Sequence, residues 1–198
     1  MFDGFLGDPD AWRTEALAAS YWRPHPRFPW HVSKEACSGL TLAVQRISRL
    51  IGLPLRDWHA GGDGSTVGRF HINLAGAERL ANFHADPFDL AAVLYLSPEP
   101  PAGSGTRFSR TVTRIRRRPG EPLKPVPLGV NESADTADTF EVVNQYNRLV
   151  IYRGARYHRA SGYFGRSRKS GRLTVAFFFN VGARRSPAMI ARRTPPRP

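Results

Sequence analysis

Residues 172–180, RLTVAFFFN, constrain the fold more than any other stretch of the chain. On an extended backbone, alternate side chains point to opposite faces. Arg172, Thr174, Ala176 and Phe178 then share one face, and Leu173, Val175, Phe177 and Phe179 share the other. The second face is wholly apolar and has to pack under helices. The first carries a guanidinium and a hydroxyl in a row, beside an alanine small enough to leave space. Burying a lone charge costs on the order of several kcal/mol, so an inward arginine needs an anionic partner. Its planar fork suits a carboxylate held by two parallel hydrogen bonds. No acid of the sequence stands out for that role. A carboxylate ligand is the economical expectation, with an Asp or Glu of the chain itself as the alternative.

Further strand-like runs precede this one, at 66–74, about 82–86, 91–97, 105–112 and 148–153. They are short, separated by turn residues and free of βαβ alternation, which points to an antiparallel double sheet or jelly roll. Asp8 and Pro9 make a good helix start, and that helix is expected to run to about Ser20. Pro24, Pro26 and Pro29 break it and leave a loop with Trp22, Phe28 and Trp30 as packing anchors. Ser33 is read as the cap of a second helix over 34–51. Its stripe of Ala36, Leu40, Val44, Ile47 and Ile51 should cover one sheet face. Residues 60–66 and 119–137 read as loops, and 138–146 as a short helix. The fold class is therefore mainly β with flanking helices, a jelly roll with N-terminal helices packed on one sheet. As a single domain over 1–198, the chain divides into helical support (1–60), core (66–181) and a basic, Pro-rich tail (182–198).

Composition excludes several classes. A chain of 198 residues, 41% hydrophobic and 23% charged, suits a globular domain rather than disorder. No apolar run approaches the roughly 20 residues that span a bilayer. The acidic N-terminus has no secretory n-region, and the single Cys37 forbids an internal disulfide, which fits a reducing cytoplasm. The net charge of +13 draws anions, so nucleic acid is a possible partner. Much of the excess sits in the run 114–118, RIRRR, and in the tail.

The chemistry-bearing pattern begins at His84-Ala85-Asp86. An extended backbone puts this imidazole and carboxylate side by side, two-thirds of the 2-His-1-carboxylate facial triad of non-haem iron sites. A second candidate is His158, which lies between the strand ending at Tyr152 and the one opening at Arg172. Arg172 follows it by 14 positions.

The ordered set His84-x-Asp86, then Gly105-Thr106-Arg107-Phe108, His158 and Arg172-x-Thr174 resembles the Fe(II)/2-oxoglutarate-dependent dioxygenases. The likeness is to the prolyl-4-hydroxylase-like and small bacterial members, over about 66–181, and implies their double-stranded β-helix. It further implies that His84, Asp86 and His158 hold Fe(II), and that Arg172, helped by Thr174, holds the distal carboxylate of 2-oxoglutarate. With O2 the co-substrate would be decarboxylated to succinate and CO2 while a substrate C–H is oxidised. Related halogenases place a small residue where Asp86 stands, so the aspartate favours hydroxylation. Where many relatives carry a co-substrate-binding tyrosine, this strand offers His71 or Asn73. The substrate expected is small and amino-acid-like, a peptide or a natural-product intermediate. The pocket lip is expected from loops 21–31, 60–66 and 113–137. A basic nucleic-acid-binding module on the same fold, or an oxygenase acting on nucleic acid, is the alternative. Oligomeric state is not legible.

Overall fold

The computed structural model describes residues 1–26, 28–58, 66–80, 83–109 and 139–182. In chain order the elements are α1 (Pro9–Ala18), β1 (Tyr21–Trp22), β2 (Trp30–Ala36), α2 (Leu40–Ile51), β3 (Leu55–Arg56) and β4 (Arg69–Asn73). A 3-10 turn (Glu78–Leu80) leads to β5 (Leu90–Tyr95), β6 (Thr106–Ser109), β7 (Thr139–Val142), β8 (Leu149–Arg153), β9 (His158–Ala160) and β10 (Arg172–Val181). The larger sheet has the order β1-β2-β4-β10-β5-β8, with β3 also on β10. The smaller has the order β7-β6-β9. All these pairings are antiparallel. Mainly β, with two helices and two antiparallel sheets, the architecture is a double-stranded β-helix. Among the described residues no helix is long and apolar enough to cross a membrane.

The alternation in β10 sorts the interior as its sequence requires. Leu173, Val175, Phe177 and Phe179 join Phe70 and Ile72 of β4, Ala92 and Leu94 of β5 and Ala43, Val44 and Ile47 of α2 in one buried cluster. On the opposite face Thr174 is level with His71 of β4 and Tyr95 of β5, and Arg172 is level with Asn73. Strand pairing thus gathers the polar residues of three strands on one inner surface.

Helix α1 begins where the sequence indicates. The Asp8 carboxylate accepts the Ala11 N–H at 2.9 Å, and Pro9 takes the first turn. The start of α2 differs. Residues 30–36 are a strand, and the helix begins only at Leu40, behind Gly39. Ser33 caps nothing. Its buried hydroxyl accepts the Phe70 N–H from β4 at 3.0 Å and donates to the Glu35 carbonyl at 2.6 Å. Ala36 therefore belongs to β2, while Leu40, Val44 and Ile47 do form the buried stripe. Trp22 and Trp30, expected in a loop, sit in β1 and β2. Residues 139–142 form a strand rather than a helix, because Phe140 stacks across β7–β6 on Phe108 at 5.4 Å. The expected strand at 82–86 reduces, in its described part, to a single bridge at His84. The glycine-rich stretch 59–65, the run 114–118, the loop 119–137 and the tail from 183 lie outside the described residues.

The N-terminal segment is locked to β8. Phe2 exchanges backbone hydrogen bonds with Leu149. Asn147, left-handed at φ 61°, accepts the Leu6 N–H at 2.7 Å and donates to the Leu6 carbonyl at 2.8 Å. Asn147→Ala removes both bonds and keeps an unfavourable φ. It is expected to destabilise the protein by about 3 kcal/mol, measured by denaturant unfolding.

Candidate active site

The smaller sheet and the loops beside it bring three distant residues together. His84 and His158 exchange two backbone hydrogen bonds, of 3.0 and 2.9 Å, in an isolated antiparallel bridge. Two residues on, the Asp86 N–H donates to the Gly154 carbonyl at 2.8 Å. Gly154 permits this approach, since a Cβ there would lie 2.1 Å from the Phe88 carbonyl oxygen and 3.0 Å from that of Asp86. The backbone alone therefore sets the spacing of the three side chains.

One ligating atom from each of His84, Asp86 and His158 lies within 4.8 Å of the other two. His84 Nε2 is 3.7 Å from Asp86 Oδ1, and His158 Nε2 is 3.4 Å from Asp86 Oδ2. The imidazole rings are 4.4 Å apart at their centroids. Asp86 and His158 are buried, while His84 is half-buried. His158 Nδ1 donates to the Arg156 carbonyl at 2.9 Å, which leaves a lone pair on Nε2. Burial, and then the neighbouring His84, push the His158 pKa well below its ordinary value, so the ring is neutral. Asp86 Oδ2 is enclosed and has no hydrogen-bond partner. A lone pair and a carboxylate oxygen thus face each other at 3.4 Å with no proton between them. This donor set fits a cation. Two imidazoles and one carboxylate also suit a non-haem iron.

Arg172 and Thr174 lie on the inner face of β10, both 4% exposed. The Arg172 fork reaches carbonyls rather than an acid. Nε donates to Ser104 at 2.9 Å and Nη2 to Gly105 at 3.0 Å. The guanidinium carbon sits 5.4 Å above the Tyr95 ring centroid, and the Tyr95 hydroxyl pairs with Thr106 at 2.6 Å. Among the described residues no carboxylate stands within ion-pair distance of it. The intrachain Asp or Glu considered from sequence is thus not found there, and Nη1 makes no hydrogen bond among these residues.

His71 and Asn73 share this face through their register with Thr174 and Arg172. Burial lowers the His71 pKa to about 4, while a hydrogen bond to the Thr66 backbone opposes the shift. Its Nε2 and the indole N–H of Trp30 are both enclosed without hydrogen-bond partners. Rings of His25, Phe28, Trp30 and His71 follow one another inward from the β1–β2 connection. Sequence reasoning gave Tyr152 no role, and read Trp30 only as a packing anchor in a loop at the pocket lip and Tyr95 only as a strand residue. Alternation in β8 could have found Tyr152, which shares a face with Val150. Its hydroxyl lies 3.0 Å from His158 Nε2.

Burial raises the Asp86 pKa from 3.8 to about 6, so the folded metal-free protein carries an unfavourable carboxylate above that pH. A raised acid pKa removes stability as pH climbs from the unfolded value through the folded one. Asp86→Asn is expected to be more stable than wild type above pH 6, by at most about 2–3 kcal/mol. The difference should vanish towards pH 4 in metal-free thermal melts, while affinity for Ni(II) is lost.

No family model matches the chain, and no curated protein does. Solved structures do. HygX from Streptomyces hygroscopicus, crystallised with nickel, 2-oxoglutarate and hygromycin B, is 14% identical with TM-score 0.56. The match covers 90% of this chain and 81% of that one. SnoN, a non-haem α-ketoglutarate-dependent epimerase from nogalamycin biosynthesis, is 17% identical with TM-score 0.50, over 90% of this chain and 76% of that one. A Pseudomonas putida prolyl-4-hydroxylase is 12% identical over 91% of each chain, with TM-score 0.48. The first two carry the assignment: the chain has the fold of the 2-oxoglutarate/Fe(II) oxygenases and gathers an HxD…H triad inside it.

Proposed function

We propose that the protein is an Fe(II)- and 2-oxoglutarate-dependent oxygenase that hydroxylates an unactivated C–H of a small amino-acid-like, peptide or natural-product substrate. One observation carries the reading. The convergent triad and a buried guanidinium that has no carboxylate partner among the described residues both act on one ring, Tyr152, which feels the charges of Asp86 and Arg172. Fe(II) bound at the triad supplies oxidative decarboxylation of 2-oxoglutarate by O2, coupled to oxidation of the substrate.

The residues divide the remaining work. His84, Asp86 and His158 hold the metal, His158 through an Nε2 whose tautomer the Arg156 carbonyl fixes. Arg172 receives the distal carboxylate of the co-substrate on Nη1, with the Thr174 hydroxyl beside it. Its bonds to Ser104 and Gly105 keep the fork oriented before the co-substrate arrives. Asn73, level with Arg172, is the better second contact for that carboxylate. His71 donates towards Thr66 and turns a lone pair inward, so it suits a hydroxyl or amide donor instead. Trp30 and the rings leading to it line the approach for an organic substrate. HygX, of the same fold, was crystallised with the small molecule hygromycin B. That likeness favours the small-substrate reading over the nucleic-acid alternative.

Protein supplied with Fe(II), ascorbate and 2-oxoglutarate is expected to form succinate even without a substrate, and His84→Ala to form none. Arg172→Met should raise the KM for 2-oxoglutarate roughly ten- to a hundred-fold, as expected for loss of a charge-assisted hydrogen bond. A melting curve checks that the variant is folded. Wild-type protein that neither turns over nor binds 2-oxoglutarate would refute the assignment.

A further inference from the structure

Tyr152 belongs to no role assigned so far, yet it touches the centre of the site. The Arg156 carbonyl can only accept, so the His158 Nδ1 proton is committed and Nε2 carries the lone pair. The Tyr152 hydroxyl, 3.0 Å from Nε2, must then be the donor to it. This is the lone pair through which His158 would bind a cation. The phenol ring is held in place. It packs in the small cluster of Tyr95, Phe108 and Val150, edge-on to Phe108 at 5.0 Å and tilted against His158 at 4.6 Å. Among the described residues Asp86 Oδ2 also lies close to Nε2, at 3.4 Å, an acceptor with no hydrogen-bond donor of its own there.

We propose that Tyr152 gates the metal site: its hydroxyl caps the His158 lone pair in the metal-free protein and has to be displaced before a cation can bind. The inference rests on the reading of His84, Asp86 and His158 as metal ligands. The hydroxyl stabilises the empty site by satisfying a buried acceptor. An incoming cation must break that bond, so the tyrosine lowers the affinity of the site. The oxygen itself has to swing away, since a cation about 2 Å from Nε2 and an oxygen 3.0 Å from it cannot share the lone-pair direction. A phenylalanine keeps every packing contact of the ring and removes only the cap, leaving the empty site less stable and the loaded site easier to reach.

The test compares full-length, metal-free wild type and Tyr152→Phe by calorimetric titration with Ni(II) and Mn(II), with Asp86→Ala as the non-binding control. The variant is expected to bind both cations about five-fold more tightly, the scale of one hydrogen bond's net contribution. Nitrogen NMR of the metal-free proteins gives a second readout. The His158 Nε2 resonance should move in the variant towards that of an unbonded imidazole acceptor, while Nδ1 stays put. Equal or weaker cation binding by Tyr152→Phe overturns the gate and leaves the oxygenase reading standing, since wild type still takes up metal. An unmoved Nε2 resonance overturns it as well. Failure of both proteins to bind either cation overturns the metal-site reading, and the gate with it.

Discussion

A guanidinium enclosed without an ion-pair partner among the described residues is the constraint on which this interior depends. Arg172 is 4% exposed and satisfied by two backbone carbonyls and a ring face, none of which cancels its charge. Those carbonyls belong to the turn entering β6, so the arginine also ties the central strand of the large sheet to the start of the small one. The turn cannot drift. A Cβ at Gly105 would fall 2.0 Å from the Val142 carbonyl oxygen, and the Gly105 N–H is held by the Glu141 carboxylate at 2.8 Å. The positive charge is therefore fixed in place with no carboxylate in ion-pair distance among the described residues. An interior of this kind is suited to an anionic ligand.

Much of this was legible because it follows from period-two alternation. The faces of β10 were readable from RLTVAFFFN, and so was the conclusion that one of them needs helices. The HxD…H…RxT order brought the triad and the arginine into view before any geometry. What failed was local. Ser33 has the chemistry of a helix cap, but a partner 37 residues away, the Phe70 N–H, took its hydroxyl into a strand pairing. Residues 139–142 lack strong alternation, and only their pairing with β6 decides their conformation. Pro24, Pro26 and Pro29 were expected to break the first helix, but α1 ends at Ala18 and β1 already lies between it and Pro24.

The parts of the site that escaped sequence reading share a physical cause. What escaped is the contact each of Tyr152, Tyr95 and Trp30 makes, since these depend on cross-strand register, which no motif encodes. His71 sits beside the arginine only because Thr174 lies opposite it. The tautomer of His158 depends on the carbonyl of Arg156, a backbone atom whose position the side-chain identity does not reveal.

The reciprocal backbone bonds between His84 and His158 carry a consequence for how the protein ages in the cell. A centre whose ligands hang from paired amides is spaced before any ion arrives. A cation that comes or goes need not reorder that bridge. A protein emptied of its cation should therefore present no newly loosened segment at His84 and His158 to proteases and should regain the ion without refolding.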